Sequence, residues 1–323
     1  MPRGFRRYDE PMNILTYIDK QELRSFTTAD DRQAWRVVIV NVALVAASFA
    51  LPALWRHPIA WVLASILLAG RALGFAILMH DAAHLNFFTS RKVNEWMGKC
   101  VFGALPNVPY AAYRRGHLEH HRKAGTAADP DLAFVSGYPA TRASLLRKLI
   151  RDISGVNGVK GIIYQFQPTD RGALYPFFVM HGLIVAVLSL LGVSEVYASW
   201  WFGQLFVFPL LLRLRVMGEH GGVPDQMDRD PRRNTATTLA GPVARLLVAP
   251  NFVNYHVEHH MAATVPGYKL PALHKLLRER GYFEGTTCLA PSFLAVIHRC
   301  TAINGNAAER RTSGARGALN NMR

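Results

Sequence analysis

Charge is what this sequence has least of. Only 18% of its 323 residues are charged, against the ~25% usual in a soluble domain. Acid is scarcer than base: 22 Asp+Glu face 37 Lys+Arg, a net charge of +15. Cysteine is nearly missing as well. The three present, Cys100, Cys288 and Cys300, are widely spaced and form no CxxC. That excludes a disulfide framework and a zinc ribbon, and leaves free core thiols. No HExxH zinc-protease motif and no P-loop occurs, nor the ExxH pair of the carboxylate-rich di-iron bundles. The glycines of GVNGVKG, Gly155 to Gly161, do not match the dinucleotide fingerprint and follow no clear strand. The N-terminus is polar to about residue 34, so no cleavable signal peptide is expected.

The scarce charge also avoids four blocks. Val37–Leu54, Ala173–Gly192 and Val196–Leu212 carry none, and Ile59–Met79 carries only Arg71. Each is close to the ~20 residues that a bilayer-crossing helix needs. Four spans are therefore expected, over about 37–54, 59–79, 173–192 and 196–212. Buried helices of a soluble all-α protein are the competing reading, and the length and charge depletion of the blocks argue against it. Short connections pair the blocks into two helical hairpins with tight outer turns. Seven Lys+Arg precede the first block, thirteen lie in the loop from Leu85 to Gly172 and fifteen follow Leu212, while the outer turns hold one and none. The positive-inside rule then puts both termini and the long loop on the cytoplasmic side. The basic residues are dispersed along these segments and form no nucleic-acid-binding motif, so a membrane face explains the charge better. Residues 1–303 read as one domain, and the polar 304–323 tail is expected to be disordered.

Against this background the histidines stand out. MHDAAHLN holds His80 and His84, HLEHH holds His117, His120 and His121, GEHGG holds His220, and HVEHH holds His256, His259 and His260. All nine fall on the expected cytoplasmic side. On an α-helix, residues i, i+3 and i+4 share a face, so each HxxHH sets three imidazoles on one stripe. Neutral imidazole binds Fe, Zn, Cu and Ni. One zinc uses at most about four such ligands, so nine suit two metal ions with positions left open. A pH sensor or a storage tract would not need helical spacing in three separate places. Of the other histidines, His57, His274 and His298 are isolated, and surface or structural roles are expected for them. His181, inside the third block, is expected to be neutral and bonded to a neighbouring helix. Arg71 either pairs with a polar group in the bundle or contacts a substrate head group.

Box order and spacing, HDAAH, then HLEHH, then two apolar blocks, then HVEHH, resemble the membrane fatty acid desaturase and hydroxylase superfamily, in its bacterial form, from roughly Ile59 to Arg280. The resemblance implies an all-α integral membrane fold, with four transmembrane helices in two hairpins under a cytoplasmic helical cap that carries the boxes. It implies a non-haem di-iron centre of two Fe ions on the eight box histidines, His80, His84, His117, His120, His121, His256, His259 and His260, with His220 as the further ligand. O₂ is then the co-substrate, and an unactivated C–H bond is oxidised. A fatty acid desaturase acting on an acyl lipid is the leading expectation, since the HxxxH first box is similar to that of acyl-lipid enzymes. The alternatives are a hydroxylase or ketolase on the same scaffold, or a desaturase of a carotenoid-like or small amino-acid-derived substrate, because VPGYKLPALH resembles the ending of such relatives. Ala262 and Ala263 stand where Phe-Pro often follows the third box, a departure that bears on substrate shape. No haem-binding donor domain is seen, so a separate electron donor such as ferredoxin is implied, at a bacterial inner membrane. Asp81, Glu119, Glu219 and Glu258 each adjoin a box histidine, and either accept its second N–H or remain solvated charges. Asn254 is a further polar neighbour. A transporter or metal sensor is the rival class, but it would line the bilayer midplane with polar groups, whereas these histidines flank the blocks.

Overall fold

The computed structural model describes residues 13–167 and 170–302, and the 304–323 tail lies outside the described residues. The fold is mostly helical, with little sheet. A short helix α1 (Lys20–Thr27) opens with a capping box, in which Asp19 accepts from the Glu22 N–H and Glu22 accepts from the Asp19 N–H. It leads to α2 (Asp31–Leu54), capped by Asp30, and then α3 (Pro58–Ala83). The turn between them is tight because His57 Nδ1 accepts the Ile59 N–H at 3.2 Å and Pro58 starts the helix without needing a donor. α4 (Arg91–Met97) runs into a π-helical turn, Gly98–Phe102, before α5 (Tyr110–Lys123). Next come α6 (Leu132–Val135), α7 (Arg142–Ile153), α8 (Val156–Gln165), α9 (Tyr175–Leu190), α10 (Ala198–Phe206) and α11 (Phe208–Val216). The C-terminal third holds α12 (Pro231–Asn234), α13 (Pro242–Leu247), α14 (His256–Met261), α15 (Leu270–Glu279) and α16 (Phe293–Arg299). Two parallel two-residue pairings tie it together, β1 (Ala140–Thr141) with β4 (Thr301–Ala302) and β2 (Thr237–Thr238) with β3 (Leu289–Ala290).

Among the described residues, three helical stretches are long and apolar enough to cross a membrane: Asp31–Leu54, Pro58–Ala83 and Arg171–Leu190. The most apolar window of α3 is 72% buried within the protein, against 28% and 17% for the other two, so α3 is the central helix. The others turn Ile39, Val40, Leu183 and Val187 outward, an apolar surface of the kind that a membrane covers.

The fourth expected span is not one straight helix. α10 and α11 meet at Val207 with a bend of 43°, and the pair makes a fourth span only if the two are counted together. Pro209 supplies the reason, since it has no N–H for the Leu205 carbonyl and its ring crowds the preceding turn. α8 seats on this break. A Cβ on Gly158 would come within 2.1 Å of the Leu205 oxygen, and Gly155 takes φ 84 to enter α8. Two glycines of GVNGVKG thus serve a turn and a close approach.

Two of the residues left open by sequence are settled by their neighbours. His181 is buried, its Nε2 3.0 Å from the Leu105 carbonyl and its Nδ1 2.7 Å from the Tyr197 hydroxyl. A carbonyl only accepts, so the proton sits on Nε2 and the Tyr197 hydroxyl donates to Nδ1. Arg71 finds polar partners inside the bundle, the first of its two readings: Nη1 donates to Asn41 Oδ1 at 2.9 Å and Nη2 to the Leu246 carbonyl.

Candidate metal centre

Helical spacing brings the histidines to one place, as expected. α3 ends by presenting His80, with His84 as its C-cap, and α5 presents His117, His120 and His121. His220 comes from a second π-helical turn, Met217–Gly221, and α14 carries His256, His259 and His260. A π turn inserts an extra residue into a helix and is frequent at functional sites.

The imidazoles separate into two groups. Ligand nitrogens of His80, His84, His117, His121 and His259 lie within 4.8 Å of one another, as do those of His120, His220 and His260. His256 adjoins the second group, its Nε2 3.0 Å from His220 Nε2. Ring nitrogens crowd to between 2.9 and 3.3 Å in five such pairs. The groups touch where the rings of His121 and His260 stack at 4.5 Å.

Outer partners fix which nitrogen of several rings is free. His120 Nδ1 faces Asp129 Oδ1 at 2.8 Å, His80 Nδ1 faces Asp81 Oδ1 at 2.9 Å, and His220 Nδ1 faces the Asn234 carbonyl at 3.0 Å. In each case Nδ1 carries the proton and donates, which leaves the Nε2 lone pair aimed inward. Asp81 is itself held by the Gly267 N–H at 3.1 Å. Burial favours the uncharged form of most of these rings. It pushes His84 down to about 4 and His121 to about 2, and holds His117, His256, His259 and His260 well below the ordinary 6.5, with neighbouring imidazoles adding to the shift of those four. Burial pushes the Asp129 carboxyl up, but the bonds from His120 and the Asp131 N–H, together with the nearby imidazoles, outweigh it and the net shift is downward.

This donor set fits metal. Imidazoles converge, and His80 Nε2 is buried with no hydrogen-bond partner among the described residues, a costly state for a polar atom unless something binds it. Beside His120 and His220 a cavity of about 20 Å³ is lined by Asp129, Asp131, Gln226 and Asn234, room for a single water.

The acidic neighbours depart from expectation. Only Asp81 bonds a box imidazole. Glu119 instead pairs with Arg122 and Lys123 on the outer face of α5. Glu219 pairs with Arg215 at 2.7 Å, and its other oxygen stays 3.9 Å from His256 Nε2, beyond hydrogen bonding. Glu258, fully buried, accepts from the Thr237 hydroxyl and from His274 Nδ1, so His274 has a buried structural role. Asn254 donates to the Thr238 carbonyl at 3.0 Å. Sequence reading missed Asp129, the Asn234 carbonyl and Arg215. Asp129 and Asn234 share no helical stripe with the rings they serve, so periodicity carries no trace of them, while Arg215 holds Glu219 four residues on.

The third box is pinned from behind. α14 has six residues, too few to be stable alone. Val257 is fully buried in the same apolar cluster as Leu273, Leu277 and Tyr282, each such side chain contributing ~1.5–3 kcal/mol. Thr237 Oγ1 accepts the Val257 N–H at 3.2 Å, a cap supplied from another segment.

Comparison with known proteins agrees with this geometry. Residues 57–291 match the sequence model of the fatty acid desaturase family. The chain is 31% identical over 253 residues to a beta-carotene ketolase of Paracoccus sp., covering 73% of this chain and 90% of the relative. It is 23% identical to a chloroplastic omega-6 fatty acid desaturase of Glycine max, over 85% of this chain and 70% of the relative. It is 26% identical to a sphingolipid delta(4)-desaturase/C4-monooxygenase of Homo sapiens, over 80% and 77%. The family match covers well over half of the chain, which therefore belongs to the fatty acid desaturase family.

Proposed function

We propose that this member of the fatty acid desaturase family is a membrane-bound, O₂-dependent oxidoreductase that introduces a C=C bond into the acyl chain of a lipid. The observation that carries the reading is the convergence of nine imidazoles into two adjoining groups. His80, His84, His117, His121 and His259 would hold one iron, and His120, His220, His260 and His256 the other. A non-haem di-iron centre supplies, when loaded, the oxidising power that an unactivated C–H bond requires. The chain's own part is to orient the rings through Asp81, Asp129 and the Asn234 carbonyl, to keep them unprotonated by burial, and to limit water at the site.

The bent α10–α11 pair counts as one span in this reading, giving four spans in two hairpins. The distribution of Lys and Arg supports placing the termini and the histidines on the cytoplasmic side of a bacterial inner membrane. Electrons come from a separate carrier such as a ferredoxin. The chain is one domain through residue 303.

A second reading keeps the scaffold and changes the outcome: ketolation or hydroxylation of a carotenoid-like substrate. It is favoured by the beta-carotene ketolase whose length is 90% covered. Ala262 and Ala263, after the third box, are where substrate shape departs from the commoner pattern. The test is expression with a ferredoxin system, followed by mass spectrometry of host lipids and of supplied carotenoids. Loss of two hydrogens from an acyl chain supports the first reading. A gain of oxygen on a carotenoid supports the second, and no change in either class rejects both.

A further inference from the structure

Arg71 lies nine residues, ~13 Å along α3, before His80. It is 3% exposed, and among the described residues no carboxylate pairs with it. Its Nε has no hydrogen-bond partner among the described residues, while its other two nitrogens reach across to different segments. A charge buried at this depth is kept only where it serves something.

Its contacts show what it holds. Leu246 sits in the last turn of α13, where carbonyls have no helical partner and carry the negative end of the helix dipole. Asn41 accepts from Arg71, and its own Nδ2 donates to the Val37 carbonyl at 2.9 Å and to Asn251 Oδ1 at 2.8 Å. Asn251 Nδ2 returns to α3, donating to the Gly74 carbonyl at 2.8 Å. Asn251 and Phe252 both lie in the left-handed region, at φ 54 and φ 66. Asn accepts that conformation readily and Phe does not, so the pair persists only where its surroundings over-determine it. Five residues after Asn251, at His256, α14 begins with no side-chain cap hydrogen bond at its N-cap Tyr255.

We propose that Arg71, acting through Asn41 and Asn251, is a positioning residue for the third histidine box, and that its effect falls selectively on the group around His220. The inference rests on the two-iron reading above. α14 gives one of five ligands, His259, to the first group but two of four, His256 and His260, to the second. A small displacement of α14 leaves the first group four ligands on α3 and α5. It leaves the second only His120 and His220.

The test uses the full chain in lipid nanodiscs, loaded anaerobically with ferrous iron, with iron per chain and the Mössbauer spectrum as readouts. Arg71→Met removes the charge while keeping most of the volume. Asn251→Gly keeps the left-handed backbone and removes the amide. The wild type is expected to hold two coupled irons. Both variants are expected to hold close to one uncoupled iron with unchanged helix content, and Arg71→Lys to fall between. Two irons in both variants would overturn the proposal. So would loss of all iron together with helix content, since Arg71 would then serve the whole fold and not the box. Fewer than two irons in the wild type would instead overturn the two-iron reading.

Discussion

The five-histidine group and the group around His220 draw on the same two helices, α5 and α14, yet stand on different foundations. The first is completed by α3, the central helix, whose apolar window is 72% buried. The second is completed by a five-residue π turn, and two of its rings take their orientation from outside, His120 from Asp129 and His220 from the Asn234 carbonyl. It also adjoins the water-sized cavity. On the proposed two-iron reading, equal chemistry on unequal supports implies that the second site would hold iron more weakly, be reached first by solvent, and be lost first.

The sharpest way to break this comparison is to delete one ligand from each side. His220→Ala is expected to drop iron from two per chain to one and to abolish turnover. His84→Ala leaves four imidazoles in its group and is expected to keep most of its iron. Elemental analysis of the purified variants checks both, and equal losses would show that the groups are equivalent.

The next effect is smaller and acts on orientation. Asp129→Asn removes the carboxylate that receives the His120 proton, and an affinity loss of ~10–100-fold is expected at the second site alone. Asp81→Asn should do the same at the first site, less severely, because its partner His80 is one of five. Competition with a coloured chelator separates the two.

Proton uptake gives a third handle. Metal-free His84 is held at about 4 against an ordinary 6.5, chiefly by burial. Its contribution to stability is therefore full above 6.5 and fades as the pH falls toward 4, because the unfolded chain takes up a proton that the folded chain refuses. The other depressed imidazoles act in the same direction. Melting of the metal-free protein in detergent should fall steeply between pH 6.5 and 4, with little change above pH 7. A flat profile would mean that the rings are not desolvated. The smallest effect is expected at Glu119, whose pairing with Arg122 and Lys123 lies at the surface. Glu119→Gln should leave iron content unchanged and shift stability by less than ~1 kcal/mol.

Periodic features were the legible ones. His117, His120 and His121, like His256, His259 and His260, share a helix face by spacing alone, and the structure brings both stripes together. The apolar blocks marked α2, α3 and α9: the first two helices extend a few residues beyond their blocks, and α9 lies within its own. Hydropathy did not show the bend at Val207, because a Pro inside an apolar run lowers the mean very little. Adjacency misled in the case of the acids. Successive helix residues point about 100° apart, so Glu119 and Glu258 look away from the rings they neighbour and find Arg122 and His274 instead. Asp129 lies in a loop nine residues beyond His120, where only tertiary folding returns it to the ring.

The most direct test of two unequal metal sites is a titration of the anaerobic, metal-free full chain with ferrous iron, followed by Mössbauer spectroscopy. The account predicts two irons per chain bound in two resolved steps, the first a mononuclear signal from the five-histidine group and the second converting it to a coupled pair. A single bound iron at saturation, or two bound in one step with no mononuclear stage, would contradict it.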